Sequence, residues 1–199
     1  MYRIFALVAC AAAVASGSAQ ETKKKYVKDL ADTDYTKRDL HGQDLSDCNL
    51  ENCIFKLCNM KEMKLAGSNL RGADFGHTSL DGTDLTGADL RDGKFDSASM
   101  QKAILDKANL AGADLRRCSI QRSSLKGANL QKVKGIEDIT KTDFTGADLR
   151  GANLQDSKDF GPNSAIFKEA KYDRTTRWPR GFDVEKSGAV LMKVEEKKD

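Results

Sequence analysis

The chain has few of the features on which enzymes and membrane proteins depend. Its 199 residues include two histidines, His41 and His77, and no segment matches a glycine-rich phosphate loop, a His-Glu-x-x-His zinc motif or a serine nucleophile elbow. Beyond the first 19 residues no apolar run is long enough to cross a bilayer, which takes about 20 residues. These absences argue against an enzyme, a cofactor, a small-molecule substrate and a transmembrane segment in the mature chain.

What the chain has in abundance is a five-residue period. Every fifth residue from Leu30 to Leu130 is apolar without exception, and this period fits neither an α-helix at about 3.6 nor a strand at about 2. A small residue stands two positions before most apolar centres and Asp or Asn often one before, as in Ala88-Asp89-Leu90. We expect the large and the small residue to point inward, and Asp, Asn and Gly to lie at the bends. Such units bury their apolar side chains only by stacking in a solenoid.

A second period of twenty residues lies within the first. The aromatic centres Tyr35, Phe55, Phe75 and Phe95 follow one another at this spacing. Four units then make one coil, and coils paired by main-chain bonds lie about 4.7–4.9 Å apart. The spacing therefore predicts a ladder of stacked rings on one inner face.

Several units resemble the pentapeptide-repeat family, whose pattern is Ala, then Asp or Asn, then Leu, then two variable residues. The units that carry the resemblance are Ala-Asp-Leu-Arg-Asp (88–92), Ala-Asn-Leu-Ala-Gly (108–112), Ala-Asp-Leu-Arg-Arg (113–117) and Ala-Asp-Leu-Arg-Gly (147–151). The resemblance covers roughly residues 28–172. It implies an all-β fold, a right-handed quadrilateral β-helix (solenoid) with four pentapeptides per coil, about seven coils and terminal caps.

The two ends differ from the repeats. Residues 1–19 combine a short basic start, an apolar run over 4–14 and small residues up to Ala19, which is typical of a cleaved secretory signal peptide. Residues 20–29 are expected to cap the N-terminal end of the repeats, which run over 30–172. Residues 173–199 are expected to form a C-terminal cap and a charged tail, and the segment Trp178-Pro179-Arg180-Gly181-Phe182-Asp183 resembles a closing segment of cyanobacterial-type family members.

The repeat has a register break near residues 133–141. Fourteen residues separate Leu130 from Phe144 where the pattern requires fifteen. The pattern predicts either a distorted coil or a short protruding loop, and it marks Val133, Ile136 and Ile139 as candidate inward residues. Loops on rigid scaffolds often carry function, but a silent irregularity is the simpler interpretation.

Four cysteines remain after cleavage of the leader, and each occupies the small inward position. They are Cys48, Cys53, Cys58 and Cys118. We expect buried thiols that act as small apolar side chains. Cys58 and Cys118 lie three coils apart, beyond the ~7 Å limit for a disulfide, whereas a bridge between Cys53 and either Cys48 or Cys58 stays open. No zinc site is expected, because the cysteine spacing is the repeat itself and both histidines are at outward positions.

Charge is uneven along the chain. Residues 74–93 carry a net charge of −4, and residues 115–134 carry six cations and no acid. The six candidate binding residues are Arg116, Arg117, Arg122, Lys126, Lys132 and Lys134. They predict binding of an acidic glycan, lipid head groups or an acidic protein face. The alternative is a solvated surface without a ligand.

We therefore expect a non-enzymatic, exported scaffold that binds a protein or an anionic polymer, as a monomer or an end-to-end homodimer. The periplasm, the extracellular space and a thylakoid lumen all fit a cleaved leader. The resemblance implies one alternative, since some family members mimic DNA and bind gyrase through an acidic face. The leader and a net charge of +3 argue against that role, and the scarcity of aromatic residues near the cations argues against nucleic-acid binding.

Overall fold

The computed structural model describes residues 26–158 and 164–192. The chain winds into stacked four-sided coils, because each residue before an apolar centre forms a parallel bridge with its counterpart in the next coil. Through most of the fold these bridges join residues twenty apart, as in Asp29 with Asn49 and Asn49 with Asn69. This is the stacking of a β-helix.

We number the four faces by their bridge residues and name each corner by the two faces that it joins. Face 1 contains Asp29, Asn49, Asn69, Asp89, Asn109, Asn129, Asp148 and Lys171. Face 2 contains Asp34, Ile54, Asp74, Lys94, Asp114, Lys134, Asn153 and Arg177. Face 3 contains Asp39, Asn59, Ser79, Ser99, Ser119, Asp138 and Lys158, and face 4 contains Asp44, Lys64, Asp84, Ile104, Ser124, Asp143 and Ile166.

Beyond the first coil, the five-residue units divide their side chains as the pattern predicts, whereas in that coil Leu30 and Leu45 are only partly buried and Arg38 is exposed. In the unit centred on Leu90, Ala88 and Leu90 are fully buried, and Asp89 forms the bridge. The turn follows at Arg91–Asp92, where Asp92 has a φ of 57°. Asp and Asn were expected in the bends, but they occupy the bridge position beside the bend. Their Oδ1 atoms accept the N–H two residues later, as Asp89 accepts that of Arg91 at 3.2 Å, which closes the turn.

The predicted aromatic ladder is confirmed. The rings of Tyr35, Phe55, Phe75 and Phe95 stack in this order, with centroids 5.1, 5.2 and 4.7 Å apart and interplanar angles of 6°, 11° and 11°. The three phenylalanines are fully buried, whereas Tyr35 is half-buried in the first coil. The core is a continuous column of such side chains inside the coils.

One coil is a residue shorter than the coils before it. Asp114 still pairs with Lys134, but Ser119 pairs with Asp138, nineteen residues later. Val133, Ile136 and Ile139 are all buried, so the chain shortens the corner between faces 2 and 3 and does not protrude as a loop.

Among the described residues, strands longer than a single bridge and a helix occur only at the C-terminal end. They are β1 (Lys171–Tyr172), the 3-10 helix Glu185–Ser187 and β2 (Val190–Leu191), with β1 and β2 parallel. Phe167 stacks on Phe144 at 5.1 Å and meets Trp178 edge-on at 5.3 Å. The aromatic side chain of Phe182 stacks on Trp178 at 4.9 Å. These rings cover the core at this end.

The predicted signal peptide and most of the predicted N-terminal cap lie outside the described residues, as do residues 159–163 and the last seven residues of the charged tail, 193–199. Val27 already donates its N–H to Asp47 O at 2.9 Å, so pairing with the first coil begins there. Within 26–158 and 164–192, no helix has the length and apolar character needed to cross a membrane.

Candidate anion-binding surfaces

The six predicted binding residues lie on different sides of the coil. Arg116 and Arg117 occupy the corner between faces 2 and 3, and Arg122 occupies the corner between faces 3 and 4. The three lysines are distributed likewise: Lys126 lies at corner 4–1, Lys132 at corner 1–2 and Lys134 on face 2. All six are exposed. Because twenty residues make one full turn, a charge-rich stretch of this length encircles the molecule, and no flat partner contacts all six cations.

Three of the six cations have carboxylate partners. The guanidinium of Arg116 donates to both oxygens of Asp114, at 2.8 and 2.6 Å. These hydrogen bonds hold the pKa of the Asp114 carboxyl below its usual value. Arg117 donates to Asp96 of the preceding coil at 2.6 Å, and Lys126 lies 3.4 Å from Asp143 of the following one.

Arg122 belongs instead to a column of three cations along corner 3–4. Lys102 donates its N–H to Gln121 O at 2.9 Å, and Arg122 donates its N–H to Thr140 O at 2.8 Å, which stacks the three turns directly. The column consists of Lys102, Arg122 and Lys141, all exposed. In the part of the chain that the structure describes, none of the three has an ion-pair partner. The search within one coil missed Lys102 and Lys141, although the twenty-residue period points from Arg122 to Lys102.

Lys132 and Lys134 belong to a basic groove of about 540 Å³. It spans corner 1–2 and face 2 over three successive rungs. Its polar and charged lining residues are Gln131, Lys132, Lys134, Arg150, Asn153, Asp173, Thr175 and Arg177, with Gly151 and Val133 between them. Sequence reasoning assumed an offset of twenty residues between successive coils and therefore missed Arg150 and Arg177. The offset is nineteen residues where Arg150 comes next to the predicted lysines, and twenty-four where Arg177 comes next to Asn153.

The two kinds of cation in the groove differ in their partners. Arg150 donates to both oxygens of Asp148, at 2.9 and 2.6 Å. Lys132, Lys134 and Arg177 have no ion-pair partner within 26–158 and 164–192.

Asp173 is the one carboxylate that lines the groove. Burial raises the pKa of Asp173, but hydrogen bonds from Thr175 and from backbone N–H groups outweigh burial and hold this pKa below the usual value. Its Oδ1 accepts the Thr175 hydroxyl at 2.6 Å and the N–H groups of Thr175 and Gly151 at 2.9 and 3.2 Å. Asp173 therefore stays ionised, but the four cations of the lining outnumber it, so the groove keeps an excess of positive charge.

The acidic coil over residues 74–93 does not form an acidic face. Its carboxylates are distributed over faces 1, 2 and 4 and two corners. Three of them have basic neighbours, because Lys56 lies 3.1 Å from Asp74, Arg91 lies 2.5 Å from Asp89 and Arg71 lies 3.7 Å from Asp92.

The four predicted inward cysteines are free and buried. The Cys53 thiol donates to Leu30 O at 3.1 Å and the Cys58 thiol to Tyr35 O at 2.9 Å. In a later coil, the Thr83 hydroxyl makes the equivalent hydrogen bond to Met60 O. Burial raises the pKa of each thiol.

Among the described residues, no group of three His, Cys, Asp or Glu side chains is placed to hold a metal ion, and both histidines are exposed.

Comparisons with known proteins point to one family. A model described as a pentapeptide repeat region matches residues 28–105, and a model of pentapeptide repeats matches eight copies over 94–131 and 138–158. No curated protein matches the chain. The gap between the two matched ranges of the second model contains the shortened corner.

Solved structures of similar proteins belong to the same family. A pentapeptide repeat protein from the Arabidopsis thaliana thylakoid lumen is 32% identical over 53% of this chain and 67% of that one, with a TM-score of 0.34. Rfr23, a pentapeptide repeat protein from the cyanobacterium Cyanothece 51142, is 24% identical over 68% and 90%, with a TM-score of 0.38. The plasmid-mediated fluoroquinolone resistance protein QnrB1 is 18% identical over 80% and 90%, with a TM-score of 0.41. On its repeat pattern and the two repeat models that match it, the chain belongs to the pentapeptide-repeat family.

Proposed function

We propose that this protein is a non-enzymatic, exported scaffold, wound right-handed in about seven coils, that binds an anionic partner through its outer surface. Nearly every inward side chain packs in the core, as the fully buried Leu90 and Phe95 illustrate. The outward positions are therefore where a ligand can be recognised. The partner is a protein or an anionic polymer, and the protein acts as a monomer or an end-to-end homodimer.

The column of Lys102, Arg122 and Lys141 is the observation that carries the proposal. Its three positions lie on adjacent rungs, about 4.7–4.9 Å apart at the backbone, and like charges held at about that distance would repel by roughly 1 kcal/mol per pair in water. Arg116, Arg117 and Lys126 form ion pairs, whereas the three cations of the column form none in the described ranges. The carboxylates beside this corner, Asp81 and Asp138, instead accept hydrogen bonds from Gln101 N–H and Thr140 N–H. A linear polyanion that lies along corner 3–4 relieves this repulsion and releases bound counter-ions.

A gyrase-binding role receives no support from the distribution of acids. The carboxylates over residues 74–93 point to several sides of the coil, and three of them are ion-paired. A DNA mimic needs instead a continuous acidic face.

Heparin chromatography at fixed pH tests the binding surface. We expect a Lys102→Gln/Arg122→Gln/Lys141→Gln variant to elute at clearly lower salt than the natural protein. The matched control is Arg116→Gln/Arg117→Gln/Lys126→Gln, which removes the same charge from residues that already have carboxylate partners. Equal losses of retention in the two variants would mean that net charge alone governs binding, and the surface proposed here would be wrong.

Export has its own test. A C-terminally tagged chain is expected in the exported fraction, shortened at its N-terminus, and a chain that lacks residues 1–19 is expected to stay in the cytoplasm. N-terminal sequencing of the exported protein locates the cleavage site, for which the sequence predicts the bond after Ala19. Recovery of the natural chain mainly from the cytoplasm contradicts the proposal.

A further inference from the structure

We propose that the basic groove is a separate site for a small condensed phosphate, of the pyrophosphate type. The site goes beyond the proposed function, because it lies at corner 1–2 and face 2, diagonally opposite the cation column at corner 3–4. Lys132 and Arg122 belong to the same coil but point to opposite sides of it. One ligand of small size therefore cannot occupy both surfaces.

The shape of the groove depends on Gly151. This residue has a φ of +70°, and a Cβ there would lie 3.2 Å from Lys132 Cγ and 3.5 Å from Thr175 Oγ1. Without a side chain, Gly151 leaves the space between these two residues open. Its N–H is already used, since it donates to Asp173 Oδ1 at 3.2 Å.

The charge of the groove selects an anion with more than one negative group. Lys132, Lys134 and Arg177 lack ion-pair partners in the described ranges, whereas Arg150 is held by Asp148. Asp173 repels an anion at one end of the groove, so a ligand with a single charge gains little. A ligand with several charges is attracted by all three free cations, and each phosphate group carries up to two negative charges near neutral pH.

The spacing of the rungs matches two linked anionic groups. Asn153 donates its N–H to Val133 O at 3.1 Å and forms a bridge with Arg177, so Lys134, Asn153 and Arg177 lie on three successive rungs of face 2. Lys134 and Arg177 are thus about 9–10 Å apart at the backbone. Both residues line the groove, and Asn153 lies on the rung between them, where its amide N–H₂ group can donate a hydrogen bond.

The donors also favour phosphate over carboxylate. The planar guanidinium of Arg177 can donate two parallel hydrogen bonds to phosphate oxygens, and an ammonium group acts as a point charge beside them. Two tetrahedral groups joined by one oxygen offer acceptors in several directions, which suits cations that approach from Lys132, Lys134 and Arg177 at once. A flat dicarboxylate satisfies fewer of these donors.

Isothermal titration calorimetry with the full chain tests the site, with pyrophosphate, orthophosphate and malonate at equal ionic strength. We expect pyrophosphate to bind at least about tenfold more tightly than the other two anions. A Lys134→Gln/Arg177→Gln variant is expected to lose about tenfold or more in pyrophosphate affinity. The matched control, Lys102→Gln/Lys141→Gln, removes the same charge from corner 3–4 and is expected to change the affinity less than about twofold.

Two glycine variants test the shape of the site without a change of charge. Gly151→Ala places a methyl group against Lys132, whereas Gly146→Ala has nearly the same φ, +68°, and no atom within 4 Å of its Cβ. Both variants carry the same backbone strain, and only the first is expected to weaken pyrophosphate binding. Thermal melts show whether each variant is folded, and the exposed Lys134→Gln/Arg177→Gln pair keeps the test independent of glycine strain.

Three outcomes overturn the inference. They are equal affinities for pyrophosphate and orthophosphate, malonate binding as tight as pyrophosphate binding, and equal losses in the groove variant and its corner 3–4 control. Heparin retention separates this failure from that of the proposed function. Retention that still depends on Lys102, Arg122 and Lys141 leaves the scaffold proposal intact, and specific pyrophosphate binding without such retention supports the groove alone.

Discussion

The ring of Phe75 lies 4.7 Å from the ring of Phe95 and within 11° of parallel, although twenty residues separate them along the chain. A main-chain hydrogen bond from Phe75 N to Lys94 O, 2.7 Å long, holds the two coils in register beside the rings. Ring stacking and backbone pairing thus act at the same point. The aromatic ladder is accordingly the part of the core where a substitution affects two neighbouring coils at once.

Loss of a ring in the middle of the ladder is expected to be costly. Phe75→Ala should lower the free energy of unfolding by about 3–5 kcal/mol, because Phe75 is fully buried between Phe55 and Phe95 and leaves a cavity. Urea denaturation followed by circular dichroism measures the change. Tyr35→Ala is the control: Tyr35 is half-buried at the end of the ladder and should cost clearly less. Similar losses at both positions would contradict a continuous ladder.

The inward thiols are expected to be unreactive in the folded protein. Cys118 is fully buried, and burial raises the pKa of its thiol, so the reactive thiolate is scarce even at mildly alkaline pH. Labelling with iodoacetamide at pH 8, followed by mass spectrometry of peptides, should modify Cys118 only after urea is added. The unfolded chain is the control. Rapid labelling of Cys118 without denaturant would show that the coil opens or that the side chain points outward.

The shortened corner makes Gly135 more sensitive than other turn glycines. Gly135 and Gly87 both have a φ of +64°, but a Cβ at Gly135 would lie 2.9 Å from Arg116 Cγ, whereas Gly87 has no atom within 4 Å. Alanine at either site should cost about 1–2 kcal/mol of backbone strain, and Gly135→Ala should cost about 1 kcal/mol more. Urea denaturation compares the two variants.

A double variant shows the origin of that difference. In an Arg116→Ala background, the extra cost of Gly135→Ala over Gly87→Ala should disappear, because the contact at Arg116 Cγ is gone. An undiminished difference would place the strain elsewhere in the shortened corner.

Acid is expected to weaken the fold partly through Asp114. Hydrogen bonds from Arg116 hold the pKa of Asp114 below the unfolded value of about 3.9. The stabilisation is therefore present above about pH 4 and is lost as the pH falls through the lower, folded-state pKa. Urea midpoints measured from pH 6 to pH 2.5 should fall less steeply for Asp114→Asn than for the natural protein. Asp156→Asn, at an exposed carboxylate without an ion pair in the described ranges, is the control, and an equal flattening there contradicts the assignment to Asp114.

Most of the core was predictable residue by residue, although Met63 fills a position expected for a small residue and Leu30 and Leu45 are only partly buried. The period of five identified Leu90 as inward, and the period of twenty identified Phe75 and Phe95 as stacked, because a repeated local geometry applies the same rule to every unit. Val133 and Ile139 were marked as inward residues in spite of the irregular spacing around them, and both are buried. The identity of an apolar side chain indicates its position, because such a side chain is stable only where it is buried away from water.

The surface was predictable only in part. A stretch of twenty residues passes once around the molecule, so the sequence neighbours Arg122 and Lys132 lie at opposite corners of one coil. Their spatial neighbours come from adjacent coils, as Asp96 does for Arg117. Charged side chains on the surface do not have to follow the repeat, so their spacing in the sequence does not predict which of them pair.

By itself, the amino-acid sequence determined the family, the repeat length, the inward side chains and the stacking of the aromatic rings, because burial imposes one condition on every unit alike. Only the tertiary structure decided which cations are neutralised, which stand in the column at corner 3–4 and which line the basic groove. Those relationships depend on the offset between coils. The shortened corner and the longer segment after Lys158 change this offset from twenty residues to nineteen and then to twenty-three or twenty-four.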